Sequence, residues 1–215
     1  MRAIAKKHKT YWTNKKFLVS FIFSLIFLFV GLAATYFAII YATEHSSYPV
    51  TDLILNNIPV MDVDGFFVYG PVVFWVLAGL YMIINKLEEV PFTLKAIALF
   101  LLIRSFFLTL THIGPFPDHV QIVSSSPFWG VFTTGNDLFF SSHTGLPFLM
   151  ALIFWKDKVL RMFSLTASVL FAIVVLLAHL HYSIDVFAAY FITYTIFHLS
   201  EKFFKKDRHF FISAA

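Results

Sequence analysis

The sequence predicts an all-α protein, a polytopic membrane bundle of six transmembrane helices with both termini in the cytoplasm. Three observations predict it. Of the 215 residues, 59% are hydrophobic and only 13% charged, with a mean hydropathy of +0.80, whereas a soluble domain is about half apolar and about a quarter charged. Six stretches approach the ~20 apolar residues that a helix needs to cross hydrocarbon. The basic residues fall in alternate connecting segments.

The first stretch is Phe17–Ala42, led by Lys15 and Lys16; it is too long for the apolar core of a cleaved signal and right for a span. The second runs from Phe66 to Ile84. The third, Pro91–Thr111, is interrupted by Arg104. The fourth, fifth and sixth are Leu138–Trp155, Val159–Ala178 and Ile184–Leu199. From Val159 to Leu199 the chain would make a straight helix of roughly 60 Å, about twice the hydrocarbon thickness. It must turn, and the one polar break lies at His179–Asp185.

Orientation follows from the basic residues. Six lie before Phe17, then Lys86 and Lys95, then Lys156, Lys158 and Arg161, then Lys202, Lys205, Lys206 and Arg208. The other three connections hold none, and the first of them carries Glu44, Asp52, Asp62 and Asp64. Fifteen of sixteen basic residues thus lie on one side of a six-span bundle, which the positive-inside rule makes cytoplasmic. The formal charge of +4 therefore neighbours anionic lipid and needs no nucleic-acid partner. No cysteine is present, which excludes thiolate catalysis and thiolate zinc sites. Without repeats or low-complexity segments, the chain reads as one membrane domain, 17–199, between basic tails at 1–16 and 200–215.

Polar residues inside the apolar stretches are the candidates for chemistry. Arg104, the sixteenth basic residue, reads either as an anion contact or as half of a structural ion pair. His143 opens the fourth stretch in Asp137-Leu138-Phe139-Phe140-Ser141-Ser142-His143-Thr144; the hydroxyls and Asp137 suit a helix entrance, but capping does not explain a histidine. His181 and Asp185 stand four apart, the spacing at which a carboxylate orients an imidazole and strengthens its free nitrogen as base or nucleophile. In the six-span topology His143, His181, Asp185 and Arg104 converge on the outer half of the bundle.

Two imidazoles, a carboxylate and a guanidinium suit phosphoryl transfer: one imidazole attacks phosphorus, the other moves a proton, and the arginine holds oxygens. No metal or other cofactor is called for, and the nearby carboxylates are too few for a two-metal site. Competing readings are a haem carrier using some of His112, His143, His179, His181 and His198, and a non-catalytic lipid-binding or scaffold protein.

Residues Gly135–Thr144 resemble the Gly-Asp…Phe-Ser-Gly-His-Thr motif of sphingomyelin synthases and their relatives. Residues Leu176–Tyr190, with Leu-Leu-Ala-His-Leu-His-Tyr-Ser-Ile-Asp-Val followed by Ala189-Tyr190, are similar to that family's second catalytic motif. The two cover about 70 residues. Arg104 with Pro115-Phe116-Pro117, and Ile58–Asp62, resemble its two earlier motifs loosely. The family lies within the type 2 phosphatidic acid phosphatase superfamily. The resemblance implies a triad of His143, His181 as nucleophile and Asp185, with Arg104, Asp137, Ser141, Ser142 and His179 as candidate substrate-binding residues. It implies transfer of a phospho-head group from a glycerophospholipid to ceramide or diacylglycerol, or its release to water, at the extracytoplasmic face. Three departures are plain. Ser142 replaces a glycine, and the phosphatases' Lys-x6-Arg-Pro motif is missing. Val174 and Val175 stand where those enzymes have Ser-Arg.

Overall fold

The computed structural model describes residues 2–120, 122 and 137–212. Eight α-helices are described: α1 (Arg2–Trp12), α2 (Lys15–Glu44), α3 (Asp64–Asn85), α4 (Val90–Leu108), α5 (Ser142–Ile153), α6 (Lys158–Leu177), α7 (Ser183–Phe203) and α8 (Lys205–Ile212). No strand is present among the described residues. Most of the connection between the third and fourth stretches, with Gly135-Asn136 of the first motif, lies outside the described residues.

Local chemistry sets the helix boundaries. The Asn14 side chain accepts the amides of Lys16 and Phe17 and starts α2. Pro91 occupies the first turn of α4, where its missing N–H costs nothing. Asp157 accepts the amides of Val159 and Leu160, both at 3.1 Å, and starts α6. Burial opposes the charge of this carboxyl, but those amides and the Lys86 ammonium hold it below its usual value.

Four segments are long and apolar enough to cross a membrane: Lys15–Glu44, Asp64–Asn85, Leu87–Leu108 and Lys158–Leu177. They answer to expected spans one, two, three and five. The fourth expected span contracts to the 12 residues of α5, about 18 Å of helix against about 30 Å of hydrocarbon. Residues Leu138–Ser141 are drawn instead into a non-helical approach to the site. The sixth expected span is α7, 21 residues long, with Asp185 in its first turn and Glu201 and Lys202 near its end.

Helix α4 is the hub. It packs along α2, and it also meets α5 and α7. The α2–α4 seam is built from small residues such as Gly31, Ala38 and Ala98, and is joined by a bond between the Thr35 and Ser105 hydroxyls at 3.1 Å. The lipid-facing side of α2 carries Phe23, Phe29 and Phe37 in the open. Helix α3 meets the bundle mainly through α6.

The tails expected to be plain basic extensions are helical and docked. Lys7 pairs with Glu88 at 2.8 Å, and Lys86 with Asp157 at 3.4 Å. Lys95 pairs with Asp207 at 2.7 Å, and Ser20 also bonds Asp207. Arg208 lies over the Phe92 ring. The four basic segments are thereby joined at one end of the bundle. The loops at the opposite end fold over the turn between α6 and α7: Met61 N–H bonds Leu177 O, and Val120 N–H bonds Ala178 O.

Candidate active site

The turn from Ala178 to Tyr182 reverses the chain between α6 and α7. At its apex His179 has φ 53°, the only left-handed non-glycine backbone among the described residues, a conformation that costs of order 1–3 kcal/mol. Its ring is buried, lies edge-on to Phe116 and has no hydrogen-bond partner at either nitrogen.

Tyr182 caps α7, and Asp185 sits in the first turn, where the helix dipole favours a carboxylate. Asp185 Oδ2 accepts the Tyr182 amide at 3.0 Å and lies 3.3 Å from His181 Nδ1. The expected four-residue pair thus forms, but not as two side chains on one helical face. His181 precedes the helix, and the capping geometry turns Asp185 back onto it. Both residues are 2% exposed. The Tyr182 hydroxyl donates to Gly114 O at 2.9 Å and accepts the Val50 amide at 3.2 Å; burial lifts this phenol above its usual value and keeps it a donor.

Helix α5 presents its N-terminus to this turn. The Ser141 amide bonds Asp185 O at 3.0 Å, a direct link between the segment of His143 and the segment of His181. Ser141, which precedes α5, makes no side-chain capping bond, and its Oγ is buried without a partner among the described residues. Ser142 and His143 line a cavity of about 110 Å³ with Pro71, Trp75 and Leu146. The His143 ring stacks on Phe67 with centroids 4.3 Å apart, and its Nδ1 is buried and unpartnered. His143 is within electrostatic reach of His181, Asp137 and Arg104. Two features seat α5. Ser168 donates to Thr144 O at 2.8 Å. Gly145 leaves no room for a side chain, since a Cβ there would lie 2.8 Å from both the Phe100 ring and Thr193 Oγ1.

Of the two readings of Arg104, the ion pair is the one present. The guanidinium is 1% exposed; it donates to Asp137 Oδ2 at 2.7 Å, Asp137 O at 2.9 Å and Phe140 O at 3.0 Å. Arg104 and Asp137 therefore engage each other rather than standing open beside the imidazoles, and together they hold the approach to α5.

Sequence reasoning missed Asp52. Its carboxylate is buried in the loop after α2, where it accepts the amides of Ile54, Leu55 and Ser183. An Asp two residues before a short turn is a local signal for the first two bonds; nothing local points to Ser183. Of the histidines in the haem reading, His143, His179 and His181 lie at the site, whereas His112 and His198 lie elsewhere. His112 lies against Tyr41 and His45, and His198 pairs with Glu201 on α7.

The fold and site define a helical membrane protein with two histidines and a carboxylate gathered at one end. Residues 134–202, which contain all three, match the family model described as PAP2 superfamily C-terminal. The match covers 69 of the 215 residues, and over them the chain is similar to the C-terminal part of that superfamily. No curated protein and no solved structure matches the chain.

Proposed function

We propose that the protein is an integral membrane lipid phosphotransferase, similar in action to sphingomyelin synthases. It moves a phospho-head group from a glycerophospholipid to a lipid hydroxyl, that of ceramide or diacylglycerol, through a phosphohistidine. The observation that carries this reading is the His181 Nδ1–Asp185 Oδ2 contact of 3.3 Å beside the His143 end of α5.

Asp185 holds the proton on His181 Nδ1 and leaves Nε2 to attack phosphorus. The bond from phosphorus to the diacylglycerol oxygen breaks as the P–N bond forms, and His143 gives that oxygen its proton. The acceptor hydroxyl then attacks phosphorus, gives its proton to His143, and frees His181. The charge developing on the phosphoryl oxygens meets the first-turn amides of α5, which the Ser141 side chain does not cap, and the Ser141 hydroxyl, with Ser142 beside them. His179, buried and strained with an unpartnered ring, supplies a further contact to substrate. Arg104 and Asp137 position the approach to α5.

In this reading α5 and α7 complete a six-span bundle, the basic end is cytoplasmic, and the site serves the extracytoplasmic leaflet. The superfamily match favours a second reading with the same residues, in which water is the acceptor and the protein is a lipid phosphatase or a phospholipase C-like hydrolase. Incubation of purified protein with head-group-labelled phospholipid, with and without ceramide, followed by lipid mass spectrometry, separates them. Labelled sphingolipid supports transfer, and free head-group phosphate supports hydrolysis. Neither product, from protein shown to be folded, would overturn both.

A further inference from the structure

A second cavity lies away from His143. It is a groove of about 580 Å³ between α3 and α6, lined by Phe66, Tyr69, Val73, Thr166 and Leu170. Its walls are almost wholly apolar. Phe66, Tyr69, Val73 and Leu170 are exposed along it, so it opens sideways where a bilayer would lie.

Two side chains tie the groove to the site. Phe74 and Phe171 line both the groove and the His143 cavity. Their rings meet edge to face with centroids 6.3 Å apart. The partition is one ring thick because Phe171 rests on Gly70: a Cβ at that position would lie 2.8 Å from Phe171 Cε1. The groove and the His143 cavity are therefore neighbours that share the Phe74 and Phe171 rings as a common wall. The groove runs from Gly65, at the end of α3 nearest the site, toward Phe163, deeper along α6.

We propose that this groove holds one acyl chain of the phospholipid whose phosphoester reacts at His143 and His181. The proposal rests on the reaction proposed above and adds how its substrate is held. A lipid of the near leaflet has its phosphate at the polar end of the bundle and its chains along the bilayer normal, the direction in which the groove runs. Chain burial beside a polar reaction centre binds the lipid in register, so that the ester oxygen reaches His143. Any bilayer lipid can wet an apolar surface; a substrate site is distinguished by dependence on the phosphate.

The test uses the full chain in maltoside micelles, which carry no phosphoester, with two photoreactive probes. One is a phosphatidic acid carrying a diazirine near the end of one chain; the other is the same tagged chain as a methyl ester. The phosphatidic acid should label residues 65–74 and 163–171 roughly tenfold more than the ester, the ratio given by about 1.4 kcal/mol of differential binding. Excess untagged phosphatidic acid should remove that label. Equal labelling by both probes, or label confined to other helices, overturns the groove as a substrate site. Val73→Trp, which fills the groove, should lower the ratio of kcat/KM on long-chain to short-chain substrate roughly tenfold; an unchanged ratio also overturns it. Turnover is measured separately. Selective labelling without turnover of any lipid phosphoester sinks the reaction and leaves the groove, while turnover without selective labelling sinks the groove alone.

Discussion

The carboxylate of Asp52 accepts the amide of Ser183 at 2.7 Å, across 131 residues of chain. Ser183 opens α7 two residues after His181. A loop carboxylate and Asp185 thus share the N-terminus of one helix, and the loop after α2 is fastened to the turn that carries His179 and His181.

Asp52→Ala should destabilise the protein by about 1–3 kcal/mol, because the amides of Ile54, Leu55 and Ser183, wholly or partly buried, lose their acceptor. Burial opposes the charge on Asp52, yet those amides hold its carboxyl below the usual 3.8. The folded value being depressed, the stabilisation is full above the unfolded value and fades as pH falls through the folded one. Thermal unfolding of wild type and Asp52→Asn in detergent from pH 7 to pH 3 should show a gap that closes only at the acid end. A gap independent of pH would remove the carboxylate charge from the account.

Arg104 and Asp137 should behave as a buried pair. Removing one partner of such a pair costs about 3–5 kcal/mol, so Arg104→Ala should lower the unfolding temperature sharply. A double-mutant cycle of Arg104→Met with Asp137→Leu should recover part of the loss. A direct phosphate clamp would instead raise KM in Arg104→Lys with no change in thermal stability.

His179→Gly separates backbone from ring. Glycine takes φ 53° freely, so folding should be retained or improved, while turnover should fall if the unpartnered imidazole meets substrate. Normal turnover in a stable His179→Gly protein would reduce the residue to packing.

The covalent intermediate has its own signature. Acid-labile label from a head-group-labelled phospholipid should appear in wild type and be absent in His181→Ala. In Asp185→Asn its formation should slow by up to about 10⁴-fold, if the carboxylate acts as in a serine hydrolase triad. Label that persists in His181→Ala would transfer the nucleophile to another residue.

The chain has no cysteine, so single cysteines report topology cleanly. Leu53→Cys, at an 84% exposed position of the loop after α2, should react with an impermeant reagent on intact cells. Lys202→Cys should react only after lysis. The reverse pattern would invert the bundle.

Much of this was legible in one dimension. Hydrocarbon demands runs of about 20 apolar residues with satisfied backbones, so the long helices could be bounded within a few residues. The alternation of basic segments anticipated that Lys7, Lys86, Lys95 and Arg208 would gather at one end. The local His181–Asp185 spacing brought the pair together, although capping of α7 rather than a shared helical face makes the contact. What sequence could not decide were bonds between distant segments. Arg104 and Asp137 are 33 residues apart, and Asp52 and Ser183 are 131 apart; no periodicity relates them. Whether Arg104 faced a phosphate or a carboxylate depended on where residues 137–140 ran. The groove between α3 and α6 belongs to neither helix alone, because residues of both line it. Spacing along a chain encodes what one helix presents, and only packing decides what it presents it to.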